Sequence, residues 1–159
     1  MTSTIRPRDL VLRTDPRPED QDQVQRLVAA TGFFSAAEVA IAADLVRERL
    51  ERGPASGYEF LLADGPADRP AGLLGYSCYG PVPCSTVSWD LYWIAVSPDV
   101  QGLGLGQRLL HATEGRVRAA GGHALYAETS GRGLYRPTRG FYRRNGYTEA
   151  AVLEDFYAL

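Results

Sequence analysis

The stretch from Val87 to Thr129 constrains this chain more than any other. Val87–Val96 is aromatic and β-branched through Trp89, Tyr92, Trp93, Ile94 and Val96, the composition of a strand. Ser97-Pro98-Asp99 ends it, and the glycine-rich segment Gln101–Gly106 leads into a helix on which Leu105, Leu109, Ala112, Arg116 and Val117 recur at helical spacing. Gly121-Gly122 stops that helix, and Ala124–Thr129 reads as the next strand. Two strands of one sheet joined through a helix must run parallel, with a right-handed crossover.

The flanking sequence adds further elements. Leu10–Arg13 is a short first strand, and Asp15-Pro16-Arg17-Pro18 breaks the chain before a helix from Glu19 with Val24, Leu27 and Val28 on one face. Ser35-Ala36-Ala37-Glu38 is a capping box that opens a second helix to Arg52, with Val39, Ala42, Ala43, Val46 and Leu50 on one stripe; Gly53-Pro54 ends it. Tyr58–Ala63 and Gly72–Tyr79 are strand-like around a turn at Asp64-Gly65-Pro66, and Gly80–Thr86, with two prolines, reads as a loop. After a loop at 130–136 come a short helix Pro137–Asn145, its terminating Gly146 and a last strand Tyr147–Phe156. The order predicts one α/β domain over 10–159, a mixed sheet flanked by helices, behind a loose leader at 1–9.

Composition excludes several functions. The chain has 159 residues, 45% apolar and 23% charged, enough for a core without staples. A net charge of −2 argues against a field that grips nucleic acid or anionic lipid. All 17 basic residues are arginine, so a Walker A loop and Schiff-base lysine chemistry are ruled out. Cys78 and Cys84 share no ligand spacing with His111 or His123, and no metal is expected. No apolar run is long enough for a membrane span, and the polar start carries no signal-peptide core, so a cytoplasmic location is expected.

Glycines at Gln101-Gly102-Leu103-Gly104-Leu105-Gly106 let the backbone approach a ligand closely, and the helix that follows adds free N–H groups and a positive dipole end. Together these seat a pyrophosphate without lysine. Neither glycine frame gives G-x-G-x-x-G, and the strand–helix–strand unit is solitary, which disfavours a dinucleotide site despite Glu128 at a suitable distance. The pattern that fits is [Q/R]-x-x-G-x-[G/A] after Ile94-Ala95-Val96, which resembles the acetyl-CoA motif of the GNAT superfamily. Phe141-Tyr142-Arg143-Arg144-Asn145-Gly146-Tyr147 resembles that family's F-Y-x-x-x-G-[F/Y] pattern, and Glu128-Thr129-Ser130 ends the intervening strand as in many members. The resemblance runs from about Leu10 to Phe156, with its specific part at 87–147.

The resemblance implies a central mixed, mostly antiparallel sheet, a splayed parallel pair and about four helices. It implies acetyl-CoA as co-substrate: pantetheine along Ile94, Ala95 and Val96, pyrophosphate on the turn Gln101, Gly102, Leu103, Gly104, Leu105, Gly106 and Gln107. A further cofactor contact falls at Tyr135, where many relatives have asparagine. The implied reaction is attack of a neutral primary amine, of a small molecule or peptide, on the thioester through a tetrahedral intermediate. Tyr142 is the candidate acid for the leaving thiolate, since a phenol holds its proton at neutral pH. Glu128 is the candidate base, Asp90 a second choice, and a water chain a third.

Other residues carry weaker signals. Arg132, Arg136, Arg139, Arg143 and Arg144 surround the tyrosine helix, and one or two suit the 3′-phosphate of CoA. Alternation predicts Trp89 and Trp93 on one face of their strand, Asp90 and Tyr92 on the other. Phe33, Phe34, Glu38, Asp44 and Glu48 lie on the acceptor side that the resemblance implies. The family's closing hairpin has no sequence for its last strand after Phe156, so a final strand is expected to be missing; an unpaired edge of that kind favours a homodimer. Low net charge weakly disfavours a polycationic acceptor, and the amine itself is not identified. The alternative function is a catalytically silent acyl-CoA-binding sensor module, which would not need the phenol of Tyr142.

Overall fold

A computed structural model describes residues 5–66 and 72–156. Its elements are β1 (Leu12–Arg13), α1 (Asp20–Ala30), α2 (Ala36–Arg52), β2 (Glu59–Asp64), β3 (Leu73–Pro81), β4 (Ser88–Val96), α3 (Leu105–Ala119), β5 (Ala124–Ala127) and α4 (Arg136–Arg144). Among the described residues the five strands form one sheet in the order β1-β2-β3-β4-β5. Every neighbouring pair is antiparallel except β4 and β5, which are parallel. A mixed, mostly antiparallel sheet with one parallel pair and four helices is what the sequence predicts.

The described residues fall into two compact units, one ending at Glu128 and one beginning at Thr129. In the first, the helices form where caps and apolar spacing agree. Ser35 Oγ accepts from the Glu38 N–H and the Glu38 carboxylate accepts from the Ser35 N–H, so the capping box is formed in full. Val24, Leu27 and Val28 of α1 and Val39, Ala42 and Val46 of α2 bury one face each. They meet Phe60, Leu62, Tyr76, Cys78 and Ala95 of the sheet in one core cluster. The opposite face of the sheet carries α3, where Ser77 Oγ and Thr113 Oγ1 lie 2.8 Å apart and Arg116 Nε donates to the Tyr79 hydroxyl at 3.0 Å.

A buried ion pair ties the first elements together. Arg13 donates to both carboxylate oxygens of Asp20, at 2.7 and 2.6 Å, and to both of Asp64, at 2.7 and 3.0 Å. Asp20 is fully buried and also accepts from the Arg17 N–H. One guanidinium therefore joins β1, α1 and the end of β2. Of the expected leader, residues 1–4 lie outside the described ones; Pro7–Asp9 forms a 3-10 turn, and the Pro7 carbonyl accepts from Arg108 of α3.

Three expectations about the strands need correction. β3 runs on through Gly80 and Pro81, because its register with β4 continues to Pro81↔Trp89 and proline is tolerated as a strand's terminal residue. The loop thus begins later than its prolines suggest. Residues Tyr147–Phe156 form no strand, and Val152, Leu153 and Phe156 are exposed. Apolar, β-prone residues make a strand only when a neighbouring strand takes up their backbone groups. The third correction concerns the faces of β4 and belongs to the site.

The second unit is organised by the end of α4. Gly146 has φ +85°, its N–H bonds the Arg143 carbonyl, and the Tyr147 N–H bonds the Tyr142 carbonyl. This is a Schellman closure, in which the residue after the glycine packs back on the helix three positions before the cap. Here that contact joins Tyr147 and Tyr142, ring centroids 5.3 Å apart.

Candidate active site

The geometry of β4 originates in one extra residue. Against β3 the register runs Gly75↔Val96, Tyr76↔Ala95, Ser77↔Ile94 and Cys78↔Trp93, then steps to Tyr79↔Leu91, which leaves Tyr92 as a β-bulge. A bulge bends its strand and re-aims side chains. On its other edge β4 pairs with β5 only over Ser88↔Ala124 to Leu91↔Ala127. Pairing stops at the bulge, so β4 from Tyr92 to Val96, with Ile94, Ala95 and Val96, has no strand beside it on that edge among the described residues. The parallel pair is splayed there.

The bulge also changes which side chains share a face. Trp89 packs by Tyr79 on the α3 side, ring centroids 6.2 Å apart, and a Cβ at Gly122 would come within 2.7 Å of its indole. Trp93 instead meets Phe34 edge-on at 4.7 Å, beside the core under α1 and α2. The expectation that Trp89 and Trp93 share a face fails, because the extra residue between Leu91 and Trp93 resets the alternation. Asp90 and Tyr92 do share a face, as expected, and it is the face of Trp93. Tyr92 meets Tyr58 edge-on at 5.5 Å.

Asp90 and Glu128 are neighbours. Asp90 pairs with Tyr126 across the parallel strands, so residues 90 and 126 project to one side, and Glu128 follows two residues on, past the end of β5. Burial pushes the Asp90 carboxyl above its usual range, and the negative Glu128 pushes it the same way. Burial raises the Tyr92 phenol, with Asp90 adding to the shift, and burial followed by Glu48 does the same to Tyr58. Glu128 lies just past Ala127, the last paired residue of β5.

The glycine turn opens at the other end of β4. Gly102 and Gly104 have φ of +75° and +89°, conformations that side chains rarely adopt, and a Cβ at either would meet only open space. Gly104 is the N-cap of α3 and makes no side-chain cap bond, and the first turn Leu105-Gly106-Gln107 holds no acid. Within the cap and first turn of α3 no side-chain cap and no acid stands at these amides. Leu103 is exposed, Leu105 is buried in the core, and the Gln101 amide donates to the Val96 carbonyl at 3.4 Å, tying the turn to the strand end. These features fit a diphosphate group.

In the second unit Tyr142 is the one buried residue of α4, packed against Phe141 and Tyr147 at 5.4 and 5.3 Å. Burial pushes its phenol up to about 12. Tyr135 ends a 3-10 turn and caps α4. Arg139 is committed to the backbone, donating to the Ser130 and Arg132 carbonyls at 2.6 and 3.0 Å, and Arg143 lies 3.7 Å from Glu149. Arg132, Arg136 and Arg144 are exposed. On α2, Glu38 is used in its cap, Asp44 pairs with Arg47 and Glu48 with Arg52. The bulge and the closeness of Asp90 to Glu128 escaped the sequence reading; nothing in Leu91-Tyr92-Trp93 marks an insertion, since no glycine or proline stands there.

A mixed sheet with a splayed parallel pair and a glycine turn leading into a helix after the splayed strand is the arrangement of a class of acyl-group transferases. Residues 56–149 match the acetyltransferase (GNAT) domain family. A Desulfovibrio desulfuricans protein assigned to the GNAT family of acetyltransferases is 44% identical, with a TM-score of 0.89, over 94% of this chain and 91% of that one. The chain belongs to the GNAT family of acetyltransferases. Two more distant structures share the fold. An aminoglycoside acetyltransferase from an uncultured soil metagenomic sample, in complex with sisomicin, is 17% identical at a TM-score of 0.68 over 94% and 96% of the two chains. A ribosomal-protein-alanine N-acetyltransferase from Brucella melitensis is 16% identical at a TM-score of 0.62 over 91% and 95%. No curated protein matches the sequence. Among the described residues no helix is long and apolar enough to cross a membrane, and no group of three or more acidic, histidine or cysteine residues could hold a metal.

Proposed function

We propose that the protein transfers an acetyl group from acetyl-CoA to a primary amine of a small molecule or peptide. Membership of an acetyltransferase family supports the reaction class, and the open first turn of α3 at Gly104 carries the cofactor assignment. Amides from Gly102 to Gln107 would take the pyrophosphate, where the helix dipole favours negative charge. The free edge at Ile94, Ala95 and Val96 would pair with the pantetheine amides as an added strand does. Tyr135 is the further cofactor contact in this reading.

The amine arrives as an ammonium ion and loses a proton to Glu128, whose place past the last paired residue of β5 supports that role. The nitrogen then attacks the thioester carbonyl, the C–S bond breaks as the tetrahedral intermediate collapses to the amide, and the second proton that the nitrogen sheds restores the phenol that protonates the departing thiolate. Tyr142 supplies the proton to sulfur: burial holds its phenol protonated across neutral pH, which suits an acid and not a base. A silent acyl-CoA sensor would have no use for that group.

Calorimetric titration with acetyl-CoA, and with NAD as control, tests the cofactor assignment, and thiol release with a panel of amines tests turnover. Tyr142→Phe should lower kcat by about 10²–10⁴-fold while the acetyl-CoA affinity is kept. Unchanged turnover in that variant would remove Tyr142 from the mechanism, and absence of acetyl-CoA binding would remove the proposal.

A further inference from the structure

We propose that the rings of Tyr58 and Tyr92, seated by Gly80, form a wall beside the free edge of β4, so that the enzyme takes primary amines carried on an apolar body, alkyl or aromatic, in preference to hydroxylated ones. The inference rests on the N-acetyltransferase reading above and names the substrate class of that same site.

The arrangement follows from close packing around one glycine. Gly80 stands near the end of β3, opposite Asp90 and next to the bulge that leaves Tyr92 unpaired. A Cβ on Gly80 would lie 2.0 Å from the Gly57 carbonyl oxygen and 3.1 Å from Cε2 of Tyr92. Any side chain there would push back both the chain entering β2 and the Tyr92 ring, so glycine permits the approach and is a positioning residue for the wall. With that position bare, Tyr92 meets Tyr58 edge-on, ring centroids 5.5 Å apart. Trp93, the next residue along β4, meets Phe34 in the same way at 4.7 Å. Phe34, Tyr58 and Trp93 pack against the core under α1 and α2 without being fully buried, and Tyr92 is 37% exposed.

Partly exposed rings gathered in one place mark a surface that takes a partner. These adjoin the stretch of β4 from Tyr92 to Val96 that has no strand beside it on the β5 edge among the described residues. In the proposed reaction that edge holds the pantetheine, and the second molecule that must come to it is the acceptor amine. Small-molecule sites are lined by rings of this kind, with few polar groups. An alkyl or aromatic body gains by leaving water for such a wall, in proportion to the carbon it covers. A body bearing hydroxyls gives up hydrogen bonds to water there, and ring faces offer it no equal in return.

The test compares hexylamine with glucamine, which has the same carbon chain and amine but carries hydroxyls along it; phenethylamine is added to tell an aromatic body from an alkyl one. In thiol-release assays kcat/KM should favour hexylamine over glucamine by at least roughly tenfold. Tyr92→Ala should raise the KM for hexylamine, narrow that preference by roughly tenfold and leave the KM for acetyl-CoA unchanged, while Tyr92→Phe, which keeps the ring, should hold the preference. Gly80→Ala should act in the same direction as Tyr92→Ala, by displacing the ring. If Gly80→Ala does not fold, the two Tyr92 variants carry the test, since that side chain is partly exposed. Equal kcat/KM for hexylamine and glucamine, or a preference that Tyr92→Ala leaves intact, overturns the inference while the N-acetyltransferase reading stands. Binding of acetyl-CoA without acetylation of any amine overturns both.

Discussion

Tyr142 shows how a single residue's chemistry is set by its neighbours. Its ring is held by Phe141, the preceding residue, and by Tyr147, which reaches it only because Gly146 turns the chain at φ +85°. The glycine and the second aromatic of the F-Y-x-x-x-G-[F/Y] pattern are thus a holder for the tyrosine as much as a helix stop. A phenol raised by burial to about 12 in the folded chain, against about 10 when unfolded, favours folding in its neutral form. The folded state then binds the proton more tightly, so this contribution is fully present below about pH 10 and is lost as pH rises through about 12. Burial raises Tyr58, Tyr76, Tyr79 and Tyr92 as well, so the measurement is a comparison. Denaturant unfolding of the wild type should lose more stability over that alkaline range than Tyr142→Phe does, and identical pH profiles would contradict the assignment.

At the scale of elements, the sequence located helices well because their ends carry chemical marks. The Ser35–Glu38 box, Gly121-Gly122 after α3 and Gly146 after α4 act locally, between residues a few positions apart. Gly122 shows how tight such an end becomes in the fold, since a Cβ there would lie 2.4 Å from Val117 and 2.7 Å from Trp89. The Arg13–Asp20–Asp64 cluster is of another kind: its partners are 7 and 51 residues apart and no local pattern announces them. Asp20 is wholly buried, so its loss leaves Arg13 partly unpaired away from water. Asp20→Asn should cost about 3–5 kcal/mol in chemical denaturation. A loss under about 1 kcal/mol would mean that the site repacks or hydrates easily. The same distinction explains the errors in the strands. The bulge at Tyr92 and the extension of β3 to Pro81 are properties of the β3–β4 pairing, and neither strand encodes them alone.

At the scale of the whole molecule, β5 has β4 on one side and no strand on the other among the described residues. An open edge of this kind is a template for pairing with a second chain, and a homodimer is the expected state. Mass measurement in solution at low micromolar concentration should give two chains per particle, and a clean monomer defeats the expectation. From the sequence alone came the class of the chain, its order of helices and strands as far as the tyrosine helix, the parallel pair and the glycine turn. These are legible because hydrophobic periodicity, caps and glycine conformations act over short distances along the chain. The tertiary structure alone decided that β4 carries a bulge, that the splay opens there, that Trp89 and Trp93 face opposite ways, and that Asp90 lies beside Glu128. Register and side-chain facing are fixed when strands distant in sequence exchange backbone hydrogen bonds, and one extra residue in one strand is enough to reverse them.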